Sequence, residues 1–379
     1  MTLTALARTG LLLGLASALA PGAHAQQNLQ AIVVGASLPL SGANAAAGKE
    51  GLAVLQAYFD SVNRTGGIDG RPLQLTVLDD GFNPQKAGDN ARELAAGKAV
   101  ALVNCWGTSS CSAMVPVATQ AGLPLVGGIA GGGAMRSEPG RYVFNIRAST
   151  LAEIDTMVKH MASIGQTHTA VIYQDDGFGK GSHTTALQAL GKRNLKPVLE
   201  LALAPDGSNA PAIAKAMAET PALHGAIVLA SPPATVALIT QARKSGLRTQ
   251  FYNLAAQANT TVVQGLGEHT SSVAFSTLVP SPWRATIAVV KDYQQLVGAM
   301  EGKPAYSYLG LEVYLNARTL VDGLRKAGRG VQREPLVTAL ETMEARQYGP
   351  MAVRFAPGQR EGSSYVGLAM IDRRGQFIE

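Results

Sequence analysis

Short apolar runs alternate regularly with helix-length amphipathic segments along this chain, and few folds accommodate that pattern. A first series of runs lies at residues 32–38, 73–78, 100–103, 123–126 and 142–146. After a break near residue 148, a second series lies at residues 169–173, 197–203, 226–230, 249–254 and 273–277. Repeated strand–helix alternation predicts parallel sheets with helices on both faces. The sequence therefore predicts an α/β protein with two doubly wound parallel-sheet lobes.

The interruption near residue 148 suggests how the chain divides between the lobes. Extended segments at residues 147–150 and 279–282 are candidate crossings, and the helices expected after residue 282, the first of them at 283–300, would pack back on the first lobe. Two lobes joined by extended crossings form a cleft, and domain interfaces are favoured places for ligands. We expect one lobe to hold residues 26–147 with about 280–347, and the other to hold residues 148–279 with about 348–379.

The first 25 residues have the pattern of a secretory signal peptide. Arg8 and the amino terminus are positive, residues 11–20 are apolar, and Ala23-His24-Ala25 fits a small-x-small cleavage site. The apolar run is too short to span a bilayer. We expect export to the periplasm of a mature chain that begins at Gln26, without a lipid anchor because no cysteine stands at the cleavage point.

Composition argues against several classes of partner. The net charge is +6, but the basic residues are scattered without runs or interleaved aromatics, so nucleic acid is not an expected partner. No pair of histidines has metal-ligand spacing, so we expect no metal site, and no cofactor is expected. Export permits a disulfide between Cys105 and Cys111. One stands at a strand end and the other in a helix, however, so they need not approach closely enough, and both states stay open.

Two glycine-bearing loops mark the expected ligand site. The run at 100–103 leads into a small-residue turn at 106–110, and the run at 123–126 leads into the glycine-rich segment 127–133. In open α/β sheets, ligands bind beyond the carboxyl ends of the strands. Glycines there let backbone amides approach a ligand, and helix N-termini favour anions. We expect a small anionic molecule at these loops; the alternative is that the glycines only make turns.

The sequence carries no clear enzyme signature. Segment 175–181 lacks the G-x-x-x-x-G-K-[ST] spacing of a phosphate loop, and segment 127–133 is not a dinucleotide-binding fingerprint. No Ser/His/Asp or Cys/His set is identifiable. The pair Asp79-Asp80 could act as a metal or acid/base pair, but paired acids at a strand end are more often solvated or capping. We therefore expect a binding protein and not an enzyme.

Several motifs taken together resemble those of a known family. They are Pro39-Leu40-Ser41-Gly42, Asn63 with Gly66-Gly67-Ile68 and Gly70-Arg71-Pro72-Leu73, Asp79-Asp80, Tyr173 with Asp176-Gly177-Phe178-Gly179, and Gln241-Ala242-Arg243 with Gly246-Leu247. The set is similar to the leucine/isoleucine/valine-binding family of periplasmic proteins that serve ABC importers, and it extends from about residue 32 to residue 371. The resemblance implies a monomeric, two-lobed type I periplasmic binding protein with three crossings and a hinge-closing cleft. It also implies delivery of a small ligand to ABC permease subunits, although the same fold can pass a ligand to a sensor protein.

The resemblance also assigns the carboxylate end of a ligand. In family members that bind amino acids, the first loop offers hydroxyls and amides to the ligand carboxylate. Gly107, Thr108 and Ser109 stand at that place. The second loop usually supplies a threonine that helps to hold the ammonium, and Gly131, next to Ala130, stands there in this chain.

The ammonium end lacks its usual acid. Relatives carry a carboxylate after the strand that corresponds to residues 249–253, but this chain reads Leu254-Ala255-Ala256-Gln257. A buried ammonium without a counter-charge is strongly unfavourable. The expected ligand is therefore a carboxylate with an apolar or aromatic body and not a standard amino acid. A branched-chain amino acid is the alternative, because another acid could reach the cleft.

Four further residues complete the predicted site. Trp106 could stack on a ring or cover an apolar tail, or pack as a core aromatic. Phe178 stands where relatives cover the ligand with an aromatic, Ser231 follows a predicted strand, and Tyr308 lies near the third crossing. The candidate ligand-binding residues are Trp106, Gly107, Thr108, Ser109, Ala130, Gly131, Phe178, Ser231, Ala256 and Tyr308.

Overall fold

The computed structural model describes residues 30–136, 140–372 and 374–379. The signal peptide expected at residues 1–25 lies outside the described residues. Within the described part, the chain forms two large sheets and one two-stranded sheet. This is an α/β architecture with parallel-sheet lobes, as the strand–helix alternation predicts.

The first sheet has five strands, and every neighbouring pair is parallel. Its spatial order is β2-β1-β3-β4-β5. β1 is almost entirely buried, as expected of a central strand with helices on both faces. In chain order the strands are β1 (Ile32–Leu38), β2 (Leu73–Asp79), β3 (Ala101–Val103), β4 (Leu125–Val126) and β5 (Val143–Phe144).

Three helices connect the first four of these strands. They are α1 (Ala45–Arg64), α2 (Pro84–Ala96) and α3 (Thr108–Ala121). The side chain of Asn83 accepts a hydrogen bond from the amide of Lys86 and so caps α2. Pro84 stands in the first turn, where its missing N–H removes no intrahelical bond. α3 differs from α2, because Gly107 precedes it and no side chain caps it.

The second sheet has seven strands in the order β14-β13-β10-β9-β8-β6-β7. The five strands of the second sequence series are parallel, whereas β13 is antiparallel to β10 and β14 is antiparallel to β13. β11 and β12 form a separate antiparallel hairpin. The strands are β6 (Thr169–Gln174), β7 (Leu199–Leu203), β8 (Gly225–Leu229), β9 (Gln250–Asn253), β10 (Val273–Thr277), β11 (Arg346–Tyr348), β12 (Met351–Val353), β13 (Gly367–Ile371) and β14 (Phe377–Ile378).

Eight further α-helices accompany these strands in the residues that the structure describes. α4 packs against α5, α6 packs against α7, and the late helices α9 and α10 pack against α1 of the first series. None of the helices in the described part of the chain is long and apolar enough to cross a membrane. The helices are α4 (Thr150–Ser163), α5 (Gly177–Gly191), α6 (Ala210–Glu219), α7 (Pro232–Lys244), α8 (Thr260–Leu266), α9 (Ala288–Gly298), α10 (Tyr308–Ala327) and α11 (Arg333–Thr342).

The helix predicted at residues 283–300 is shorter in the structure. Regular α9 begins only at Ala288, and the preceding residues form turns, with the amide of Ile287 bonded to the carbonyl of Arg284. The ring of Trp283 stacks on Phe377 at a centroid distance of 5.6 Å. This contact involves a residue almost a hundred positions away, so helical periodicity within the segment could not reveal it.

Candidate functional site

A cavity of about 120 Å³ lies between the two sheets, next to the loops that follow their strands. A wider cleft of about 820 Å³ continues outward from it, and Thr108, Gly131 and Phe178 line both spaces. The structure brings nine of the ten predicted residues together in the inner cavity. They are Trp106, Gly107, Thr108, Ser109, Ala130, Gly131, Phe178, Ser231 and Ala256.

The first loop presents the N-terminus of α3 to the cavity. Gly107 has a φ of 78°, which favours glycine, and an added Cβ would lie 2.6 Å from the ring of Phe82. The amides of the first turn of any helix have no intrahelical acceptor, and in α3 no side chain caps them. The positive end of the helix dipole points the same way. This arrangement suits a carboxylate or another small anion.

The second loop is tied to the first by hydrogen bonds. The amide of Ile129 donates to the carbonyl of Cys105 at 2.7 Å, and the amide of Gly107 donates to the carbonyl of Ile129 at 3.0 Å. The hydroxyl of Thr108 accepts from the amide of Gly132 at 3.2 Å. The two glycine-bearing loops therefore form one continuous wall of the cavity.

Cys105 and Cys111 form a disulfide, which resolves the question that the sequence left open. Their Cα atoms are 5.4 Å apart, within the range that a disulfide requires. The turn that brings them together has positive φ values at Asn104, just before Cys105, and at Gly107, of 57° and 78°. Strand and helix positions alone do not predict this approach, because it depends on the conformation of the intervening turn.

The second sheet contributes the opposite wall. Asp176 caps α5 by accepting the amide of Gly179 at 2.8 Å, and it also accepts from the side chain of Gln174 at 2.6 Å. The side-chain oxygen of Gln174 in turn accepts the amide of Ser231 at 2.9 Å. This chain of bonds holds Phe178, in the first turn of α5, at the edge of the cavity.

Buried charges that the site prediction omitted also line the cavity. Arg147 and Glu153 are 3% and 1% exposed, and Nη2 of the arginine lies 3.9 Å from Oε1 of the glutamate. Nε of Arg147 lies 3.4 Å from Oε1 of Glu312 on α10. Arg147 directly follows the apolar run at 142–146, so its position at a predicted strand end was a usable signal. Glu153 and Glu312 gave none, because each lies within a helical pattern.

Burial shifts the titration of groups in this cluster. It raises the pKa of Glu312, although the neighbouring Arg147 opposes the shift. Burial also lowers the pKa of Arg136 to about 10, and repulsion by Arg147 adds to that effect. Arg136 forms an ion pair with Glu361 and donates to the carbonyl of Arg147 at 3.0 Å.

An acid reaches the far end of the cavity, which corrects the expectation that this end has none. Residues 254–257 contain no acid, but Glu153 on α4 occupies the same region. Its Oε2 accepts the amide of Ala255 at 2.8 Å and the hydroxyl of Ser276 at 2.6 Å. Its Oε1 lies 3.3 Å from where a Cβ on Gly131 would be, so the missing side chain there leaves room for the acid. The sequence after the strand at 249–253 did not reveal this acid, because the carboxylate comes from α4.

Tyr308 lies outside both cavities, unlike the other predicted residues. It is 3% exposed, and its hydroxyl donates to Glu379 at 3.0 Å. Its ring makes edge contacts with Trp283 and Phe377. Burial, with the Glu379 carboxylate, raises the pKa of this phenol. Tyr308 thus packs in an aromatic cluster near the end of the chain.

The described residues hold no group of three or more His, Cys, Asp or Glu side chains arranged to bind a metal ion. The polar groups that line the cavity are amides, hydroxyls, side-chain amides, and the charged groups of Arg147, Glu153 and Asp176. Such a set can bind and orient a small polar molecule.

Comparison with known proteins agrees with this geometry. The family model described as "periplasmic binding protein" matches residues 31–376. No curated protein sequence matches the chain significantly. A substrate-binding periplasmic protein from Ralstonia solanacearum is 27% identical with a TM-score of 0.85, covering 92% of this chain and 99% of its own. An extracellular ligand-binding receptor from Verminephrobacter eiseniae is 25% identical with a TM-score of 0.86, covering 92% and 100%.

A third solved structure shares the fold. It is the substrate-binding protein of a branched-chain amino acid transporter from Streptococcus pneumoniae, in complex with isoleucine. It is 17% identical with a TM-score of 0.80, and the match covers 92% of this chain and 97% of that one. With two sheets that face each other across a cavity, and with a family model that spans nearly all described residues, the chain belongs to the periplasmic binding protein family.

Proposed function

We propose that this chain is a solute-binding protein that captures a small carboxylate-bearing ligand between its lobes and delivers it to an ABC permease. One observation carries the proposal: the uncapped N-terminus of α3 and the guanidinium of Arg147 line the same buried cavity. Both favour an anion. The signal-peptide pattern of residues 1–25 supports a periplasmic location.

The ligand-binding residues we propose are the nine predicted residues that line the cavity, joined by Arg147, Glu153 and Gln174. We also retain the division into lobes 26–147 with about 280–347, and 148–279 with about 348–379. The backbone pairing of Asn145 with residues 360–362 favours a later start for the last segment. A ligand that touches both lobes adds contacts that only the closed form makes, so it shifts the open–closed population.

A carboxylate without an ammonium group is our first candidate ligand. Glu153 already has a cation beside it, since Nη2 of Arg147 lies 3.9 Å away, and Ala255 and Ser276 donate to its other oxygen. An acid with these partners needs no further positive charge. Trp106 and Phe178 offer apolar surface for the body of such a ligand.

An amino acid is the second candidate, and one observation favours it. Oε1 of Glu153 has no hydrogen-bond donor among the residues that the structure describes, and it lies next to Gly131, where relatives hold an ammonium. The Streptococcus pneumoniae relative is in complex with isoleucine. An ammonium in this position would supply the missing donor.

A thermal-shift screen of residues 26–379 tests the proposal and separates these candidates. The screen compares leucine and valine with their deaminated 2-oxo acids and with benzoate. A ligand at 100 times its dissociation constant adds about 2.7 kcal/mol to the free energy of unfolding. Stabilisation by the 2-oxo acids or benzoate alone supports the first candidate, and stabilisation by leucine or valine supports the second. A melting temperature that no carboxylate changes would contradict the proposal.

A further inference from the structure

The disulfide encloses the part of the first loop that faces the ligand cavity. Cys105 and Cys111 are six positions apart, and all five residues between them line the cavity. Both cysteines are fully buried, so the disulfide lies behind the loop and does not face the cavity. The disulfide therefore closes a covalent loop in which every residue between the two cysteines lines the cavity.

The same disulfide supports the second loop from behind. An added Cβ on Gly128 would lie 2.9 Å from Sγ of Cys105 and 3.5 Å from Sγ of Cys111. Gly128 does not line the cavity, but its neighbour Ile129 does, and Ile129 donates its amide to the carbonyl of Cys105. The position of the sulfur atoms thus limits where both loops can lie.

Trp106 and Ser110, at the ends of the enclosed turn, are buried, but its middle residues are less firmly packed. Thr108 is only partly buried and Ser109 is exposed, so neither packs firmly against the core. Asn104 and Gly107 have left-handed backbone conformations on either side of Cys105 and Trp106. A small polar turn with such a backbone is expected to sample other conformations when it is not constrained.

We propose that the Cys105–Cys111 disulfide is a positioning element for ligand binding. It holds the amides and hydroxyls of residues 107–110 in their binding geometry, and it fixes the second loop through Gly128. Without it, the ligand must order the turn as it binds, and that ordering lowers affinity. The proposal rests on the proposed function, because the turn is argued to bind the ligand.

The test measures affinity in the mature chain with both cysteines replaced, Cys105→Ala with Cys111→Ala. The probe is whichever of 4-methyl-2-oxopentanoate, benzoate and leucine binds the wild-type chain most tightly in calorimetry. We expect the dissociation constant to rise about tenfold or more. The effect of Thr108→Ala should also shrink in this background, because a displaced hydroxyl no longer contributes. A dissociation constant within about twofold of the wild-type value would overturn the proposal.

Two further variants separate positioning from a general loss of stability. Leu94→Ala removes a buried side chain from the apolar cluster that contains both cysteines, without touching the cavity. It should lower the melting temperature and leave the dissociation constant unchanged; an equal loss of affinity would overturn the proposal. Gly128→Ala keeps the disulfide, but the added methyl group would displace the second loop away from the sulfur atoms, so ligand binding should weaken. This variant tests the proposal even if the double cysteine variant folds poorly. If the wild-type chain binds none of the probes, the proposed function itself fails. If the chain binds a probe equally well without the disulfide, only the positioning role of the disulfide fails.

Discussion

Thr108 connects both loops of the candidate site through one side chain. It is the first residue of α3, its hydroxyl accepts the amide of Gly132 at 3.2 Å, and it lines both the inner cavity and the outer cleft. An added Cβ on Gly132 would lie 2.6 Å from the threonine side chain. The residue is therefore placed both to contact a ligand and to space the two loops.

Replacing Thr108 by alanine should weaken ligand binding. A hydrogen bond to a charged group contributes about 1.5–3 kcal/mol, so we expect a loss of roughly that size in binding free energy, measured by calorimetry. Thr184→Ala is the matched control, because Thr184 is an exposed threonine on α5 that lines neither space. Unchanged affinity in Thr108→Ala would remove this hydroxyl from the site.

Glu153 decides between the two ligand classes. In Glu153→Gln the side chain can still accept the amide of Ala255, but its negative charge is lost. If the ligand has no ammonium, the ratio of the dissociation constants for leucine and 4-methyl-2-oxopentanoate should change by less than about twofold. A rise in that ratio of about tenfold or more would support an amino acid instead. Using the ratio within one variant cancels any general loss of stability.

Asp79 contributes to stability in a way that depends on pH. Hydrogen bonds from the hydroxyl of Ser41 and from the amides of Gly81, Leu40 and Ser41 lower the pKa of its carboxyl to about 2. A carboxyl with a lowered pKa in the folded state stabilises the protein above its unfolded pKa of about 3.9. That contribution is lost as the pH falls through the folded value. Asp79 thus caps the amides of the loops that follow β1 and β2, and capping was one of the roles that its sequence position suggested.

The corresponding prediction compares the wild-type chain with Asp79→Asn. Between about pH 4 and pH 2, the free energy of unfolding should fall more steeply in the wild-type chain, because the variant has no carboxylate to protonate at this position. Urea unfolding at several pH values measures both slopes. Parallel curves would show that these hydrogen bonds do not depend on the charge of Asp79.

At the scale of elements, the start of α5 packs closely against the backbone at the end of β6, and this contact positions the second wall of the site. A Cβ on Gly179 would lie 1.9 Å from the carbonyl oxygen of Gln174, so α5 leaves β6 in a turn that only glycine allows. Phe178 and Asp176 depend on the same turn. By contrast, nothing lies within 4 Å of the place where a Cβ on Gly181 would be, two positions further along the helix.

These two glycines make a matched pair of variants. Gly179→Ala should destabilise the protein by about 1–3 kcal/mol, as overpacking generally does, and should displace Phe178. Gly181→Ala should stabilise it by about 0.5–1 kcal/mol, because alanine loses less conformational freedom in a helix. Thermal or urea unfolding measures both, and equal effects would contradict the close contact at Gly179.

Elements whose signals are local were predictable, and those that depend on distant partners were not. The strand runs follow from apolar periodicity, and the start of α2 at Pro84 follows from the proline position and the capping residue Asn83, all within a few positions. The start of α9 was placed too early because Trp283 stacks on Phe377. β14 was missed because its pairing with β13 is a contact between the last residues and a strand before them.

For the whole molecule, the main prediction concerns closure of the cleft. A ligand that contacts both lobes should favour the closed form, so the radius of gyration in small-angle X-ray scattering should decrease when ligand is added. A carboxylate that gives no thermal shift serves as the control and should leave the radius unchanged. Tight binding without any change in the radius would show that the lobes do not move on binding.

The sequence by itself determined the repeating strand–helix order, the two series and the glycine-bearing loops at strand ends. These follow from residue periodicity and backbone preferences, which act between near neighbours. Because parallel strands place their carboxyl ends at one edge, loop positions together with the family resemblance gathered nine of the ten predicted residues. Only the tertiary structure decided that Arg147, Glu153 and Glu312 meet, that Cys105 bonds to Cys111, and that Tyr308 turns to Glu379. These contacts depend on how the lobes pack and how one turn folds back, and packing between residues distant in the chain leaves no periodic signal in the sequence.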